Sequence, residues 1–304
     1  MVDVNLRRHR RDNLLQTALL LGGLGLLLAV VGFVVAGRLG AGMALGIAAI
    51  LAVVGPGVSP RIVLRLARAR PFSRAASPDL FAVGEELSRR AGLRRAPSLH
   101  YVPSRDLNAF AVGRGDDAAL AVTDGLLRTL DGSELAAVLA HEIGHVKNDD
   151  TRVMSLAGMV TRTTASLASA AQFLLPFTFL FALGGLVSLR FMVGLGILLF
   201  APTIAAMMQL ALSRSREFDA DLEAAELTGR PEWLASALDK MDRKQGGWFE
   251  RLFFRRETTS APAWLRTHPT TEERVERLLE LVPPNRFRPM SAPWGTFATR
   301  NARR

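Results

Sequence analysis

A chain of 304 residues with a net charge of +10 and no cysteine has room for one or two domains and excludes disulfides, thiolate metal ligands and a cysteine nucleophile. Hydrophobic content of 49% and a mean hydropathy of +0.19, beside 22% charged residues, imply apolar blocks separated by charged ones. Residues 1–13 carry +2, residues 61–74 carry +5 and residues 283–304 carry +5, so the rest of the chain totals −2. Basic charge set beside apolar blocks reads as membrane anchoring, and no nucleic-acid partner is expected.

Residues 14–36 are almost wholly apolar, and a helix of about 23 residues spans roughly 34 Å, enough to cross a bilayer. Arg38 and Gly40 break the run, and a second one, residues 41–58, ends at Pro60. No convincing cleavage site follows the first run. A transmembrane hairpin over residues 1–60 is therefore expected rather than a cleaved signal peptide. Residues 61–74 hold five arginines and no acid. Their first part suits a basic amphipathic helix, and their charge acts as a topology determinant. The soluble part begins near Ser77, which can cap a helix with Pro78 at its first position and Gly92 past its end. Residues 99–102, 107–112 and 118–123 have strand character and are expected to form a small β-meander.

The next helix carries His141-Glu142-Ile143-Gly144-His145. Positions i and i+4 share one face, so both imidazoles can point at one zinc ion, and Glu142 is close enough to reach a water bound to it. Asp131 can cap this helix with Glu134 three positions on, and Leu135, Val138 and Leu139 supply its apolar face. With 5 histidines in the chain, chance predicts roughly 0.004 such pentapeptides. Two unrelated core histidines are therefore the weaker reading.

Residues 165–189 and 191–212 are again apolar, interrupted by Arg190, and read as a second transmembrane hairpin. The arginine bias puts both termini and the metal helix on the cytoplasmic side. Because the metal helix ends close by, the third span should begin near Val153. In residues 213–229, Glu217 and Asp221 stand at i and i+4. They fit a third zinc ligand and a carboxylate that accepts a ligand histidine's ring N–H. A solvated acidic face, with Asp219, Glu223 and Glu226 near, is the alternative. Residues 231–241 suit a short helix, residues 242–263 a mobile loop, and residues 267–281 a last helix. A basic tail, residues 283–304, is expected to be disordered. The chain thus divides into a hairpin (1–60), a linker with the meander and metal helix (61–152), a second hairpin (153–212), a third-ligand part (213–282) and the tail.

HEIGH at 141–145, SREFDAD at 215–221 and THPTTEER at 267–274, with NAFAVG at 108–113, occur together in one order. The chain resembles HtpX-like membrane zinc metalloproteases, relatives of the type I CAAX prenyl proteases in the gluzincin group, from the first hairpin to about residue 281. The resemblance implies one zinc held by His141, His145 and Glu217, Glu142 as the catalytic carboxylate, and Asp221 as an outer carboxylate. It implies polar roles near the reacting carbonyl for His268 and Arg274. Asn108, Ala109, Phe110, Ala111 and Val112 look like the family's strand beside the active site, along which substrate would add as a further strand. The expected fold is mainly α with a small β-meander, an integral membrane protein of four transmembrane helices with a cytoplasmic zincin-like catalytic domain.

The resemblance also implies the role. The expected activity is a zinc endopeptidase in the cell membrane, cleaving unfolded or damaged membrane proteins from the cytoplasmic side. A processing protease with one defined substrate keeps the same chemistry. A silent zinc-binding scaffold has no use for Glu142. A channel would want ionisable residues in its spans, and these hold few.

Overall fold

The computed structural model describes residues 2–54, 59–75, 77–184, 189–245 and 270–281. The loop expected at 242–263 is corrected at its start, where the helix from Pro231 runs on to Gln245; its remainder, His268 and the tail at 283–304 lie outside the described residues. Helix α1 (Val2–Val54) contains a break at Ala36 (φ −141°, ψ 27°) and Gly37 (φ 60°, ψ −147°). Gly37 takes a backbone conformation that strains any side chain. The chain folds back there. A Cβ on Gly32 would lie 2.5 Å from the Gly40 carbonyl oxygen and 2.9 Å from the Ala44 Cβ. Gly40 is thus the close contact between the two arms, and the break falls just ahead of it.

Helices α6 (Asp150–Leu183) and α7 (Leu189–Thr228) complete a bundle with α1. The first arm of α1 and helix α6 run antiparallel to α7. Along α1, Thr17 meets Arg216, Gly23 packs on Met208 and Val34 touches Gly194. Along α6, Asp150 meets Arg216, and Thr161 Oγ1 donates to Gln209 Oε1 at 2.7 Å. Leu24, Ala157, Ala205 and Leu212 form the buried centre. The outer faces are apolar and uncovered: Leu19 is 74% exposed and Phe173 75%. Leu15–Ile50 and Phe191–Thr228 are long and apolar enough to cross a membrane.

The second layer holds α2 (Pro60–Leu66), α3 (Pro78–Ala91), α4 (Asp124–Thr129), α5 (Gly132–Lys147), α8 (Pro231–Gln245) and α9 (Thr271–Glu280). Its strands are β1 (Arg70–Pro71), β2 (Ser98–Val102), β3 (Ala109–Val112) and β4 (Ala119–Thr123), in the order β1-β2-β4-β3. The sheet is mixed, which corrects the expected meander. β3 pairs with β4 as an antiparallel hairpin, but β4 lies parallel to β2, Ser98 opposite Ala119 through Val102 opposite Thr123. The cause is the segment after Val102. Ser104 and Asp106 form a tight turn, and Thr123 Oγ1 donates to the Asp106 and Asn108 carbonyls at 2.6 and 2.8 Å. The chain is thereby carried past the end of β4 and returns on its far side, leaving β3 at an edge. α3, α5, α8, α9 and the end of α7 share one apolar core with the sheet, built on residues such as Leu87, Leu120, Leu139 and Leu234.

Candidate metal centre

Helix α5 is placed by its start and its face. Asp131 accepts hydrogen bonds from the Ser133 and Glu134 N–H groups, each at 3.0 Å, and Glu134 Oε2 accepts from the Asp131 N–H at 3.0 Å. That reciprocal cap satisfies donors the first turn leaves open. Glu134 is buried and also takes Ser236 Oγ at 2.6 Å and Lys240 Nζ at 2.5 Å, which ties α5 to α8. Leu135, Leu139 and Ile143 are fully buried, so the helix cannot rotate about its axis without exposing them.

The facing element is the end of α7. It comes close because residue 144 has no side chain: a Cβ there would sit 3.1 Å from Glu223 Cβ and 3.4 Å from Ala220 Cα. Lys147 Nζ bonds Glu223 Oε1 at 2.5 Å and pins the same crossing. His141 Nε2 and His145 Nε2 stand 3.1 Å apart, with Glu217 Oε2 3.5 Å from the first and Oε1 3.9 Å from the second. All three donors lie within 4.8 Å of one another.

Each imidazole has a carboxylate behind it. His145 Nδ1 is hydrogen-bonded to Asp150 Oδ2 at 2.7 Å, and His141 Nδ1 is 3.0 Å from Asp221 Oδ1, within ion-pair range but off the hydrogen-bond axis. A carboxylate at Nδ1 draws the ring proton there and leaves Nε2 with a lone pair. Two such lone pairs 3.1 Å apart, faced by the Glu217 carboxylate, repel unless a proton or a metal ion lies between them. Two zinc–nitrogen bonds of about 2.0–2.1 Å in tetrahedral array need a similar separation, about 3.3 Å. The residues therefore fit a zinc ion. Burial lowers the basicity of His141, but Asp221 and Glu217 override it and push the ring up to about 10. Such a pocket seeks positive charge.

α9 closes the site. Thr270 caps it through the Glu273 N–H at 3.1 Å, Arg214 pairs with Glu273 at 2.9 Å, and Arg277 stacks 3.7 Å over the Phe218 ring. Arg274 forks onto Asp221 at 2.6 and 2.8 Å, and its Nη1 lies 3.2 Å from Glu217 Oε2. Burial works against its charge, but Asp221 and Glu217 hold the guanidinium firmly protonated.

Glu142 is raised above the usual carboxylate range by burial, against the pull of both histidines, and it takes a backbone hydrogen bond from Ala111. Asn108 turns its backbone groups to Thr123. By alternation Ala109 and Ala111 turn theirs outward from β4, toward the site. Four of the expected residues, His141, His145, Glu217 and Asp221, are thus gathered at one point, with Glu142, Arg274 and β3 bordering it. Asp150 was missed. Its signal is a second acid just past the C-terminus of α5, where the helix dipole disfavours negative charge. Asp149 at φ 54° turns the chain so that Asp150 opens α6 and aims back at His145.

A His-Glu-x-x-His helix, a facing carboxylate and an open edge strand together fit the metalloprotease class. The chain belongs to peptidase family M48, whose model matches residues 74–282. It is 36% identical over 283 residues to a protease HtpX homolog of Trichormus variabilis, covering 88% of this chain and 96% of that one. It is 37% identical over 289 residues to a protease HtpX homolog of Acidiphilium cryptum, covering 89% and 97%. The crystal structure of S. mikatae Ste24p aligns with 90% of this chain and 66% of its own, at 20% identity and a TM-score of 0.47.

Proposed function

We propose that this chain is a zinc endopeptidase of the cell membrane that cleaves unfolded or damaged membrane proteins from the cytoplasmic side. Four transmembrane helices, two from the arms of α1 and one each from α6 and α7, carry the catalytic part in this reading. The observation that carries it is the facing pair of Nε2 atoms 3.1 Å apart with Glu217 opposite. His141, His145 and Glu217 would hold the zinc, which would supply Lewis acidity to the peptide carbonyl and the attacking water. Glu142 would accept the proton of the attacking water at its carboxylate and return it to the leaving amine. A purely structural site has no use for this carboxylate, which speaks against a silent scaffold. Asp221 and Asp150 fix the tautomers of His141 and His145. Arg274 holds Glu217 and Asp221 in place, a positioning role that its contacts favour over contact with the oxyanion. His268 is left with the polar role beside the reacting carbonyl that the resemblance implies.

Substrate binds as an added strand along Asn108–Val112. The outward N–H and carbonyl of Ala109 and the outward carbonyl of Ala111 supply sequence-independent hydrogen bonds, which suits an enzyme acting on unfolded chains. The test is to purify the protein in detergent with a chelator, restore zinc, and follow self-cleavage and digestion of an unfolded protein. Glu142→Gln should keep the metal and lose hydrolysis by at least the 10²–10⁴-fold typical of a general base. Near-normal turnover in that variant would end this reading.

A further inference from the structure

Behind His145 the polar contacts do not stop at Asp150. Asp150 Oδ1 is 3.4 Å from Arg216 Nη1, and Arg216 Nη2 lies 2.7 Å from Asp219 Oδ2. The same nitrogen donates to the hydroxyl of Thr17, near the start of the first apolar run. Arg216, Asp150 and Thr17 are 7%, 4% and 9% exposed. Three helices that are distant in sequence thus meet in one buried chain of contacts that ends on a donor of the candidate metal centre.

Charge buried this way adds little to stability, since desolvation offsets most of the attraction. What it does supply is a fixed geometry. The Asp150 carboxylate has two jobs, one per oxygen, and the guanidinium decides how it is turned toward the imidazole. Arg216 in turn is oriented by Asp219 on its own helix and by a hydroxyl from α1. We propose that Arg216 is a positioning residue for the metal centre and that Thr17 makes the first apolar helix part of that centre. Thr17 sets Arg216, Arg216 sets Asp150, and Asp150 sets the tautomer and tilt of His145. The inference rests on zinc binding at His141, His145 and Glu217, and it adds that the affinity depends on how α1 is seated.

The test is zinc affinity of the full-length protein in detergent, by competition with a chelator, with the visible spectrum of the cobalt-substituted protein as a second readout. Asp150→Asn and Arg216→Gln should each weaken binding about 10–100-fold, as loss of an outer partner does elsewhere. Thr17→Val, the same size without the hydroxyl, should weaken it about 3–10-fold and shift the cobalt bands, while Thr17→Ser stays near the parent. Adding Thr17→Val to Arg216→Gln should cost nothing more, because the link is already cut. Two results overturn the inference: unchanged affinity and spectrum in Thr17→Val, or costs that simply add in the double variant. Failure of the parent itself to bind zinc would instead overturn the metal centre, so the two failures are distinguishable.

Discussion

Glu217 is the residue on which the candidate centre turns, because it is the donor that comes from a second helix. Its carboxylate faces both imidazoles and is steadied by Arg274 at 3.2 Å. Glu217→Ala should leave the protein without stoichiometric zinc, whereas Asp221→Asn should only weaken zinc binding or activity by roughly 10–100-fold. Metal analysis after dialysis separates the two, and full zinc occupancy in Glu217→Ala would place the third ligand elsewhere. The co-location of His141, His145, Glu217 and Asp221 was legible because each pair obeys one helical spacing, i to i+4. Asp150 and Arg216 were not. Their partnership depends on a single left-handed residue, Asp149, and on two helices whose crossing no local spacing reveals.

Helix α5 and strand β3 set the dimensions of the site. The α5–α7 crossing depends on Gly144, where a Cβ would press on Glu223 and Ala220. Helix propensity alone favours Gly144→Ala by about 1 kcal/mol. The steric contact predicts the opposite for function: α7 must move by tenths of an ångström, and zinc affinity falls. A variant that melts higher and binds zinc as tightly as the parent would show that the crossing has slack. On the other border, Ala109→Pro removes the outward N–H of an edge strand, where proline is otherwise tolerated. KM should rise while zinc content holds, and a variant that folds and cleaves with unchanged KM would rule out strand addition. Helix starts were readable from Asp131, which caps through its side chain, and from Pro78; Ser77 holds the N-cap position but makes no side-chain cap. The positions of β2, β3 and β4 were readable too, but β1 and the order of the strands were not. The parallel pairing of β2 with β4 follows from how Thr123 anchors the loop around Asp106.

At the scale of the whole molecule, α7 is one unbroken helix from Leu189 to Thr228, so the apolar bundle and the candidate centre share a rigid element. Glu217 lies five residues past Leu212, about 7.5 Å along the axis. In the proposed topology the zinc therefore sits at the cytoplasmic surface of the membrane. Spin labels at Ser213 and Leu222 should fall at the headgroups and within about two helical turns of them, read by lipid-soluble and water-soluble relaxers. Depths well out in water would contradict the placement. Apolar blocks made the bundle legible in outline. The tie between Thr17 and Arg216 was not, because it joins residues nearly 200 positions apart. The same continuity of α7 also orders events during synthesis. His141 and His145 leave the ribosome first, and Glu217 follows about seventy residues later, several seconds at about 5–20 residues per second. In between come all of α6 and the apolar part of α7. A nascent chain thus carries a half-built centre until its apolar bundle has been made.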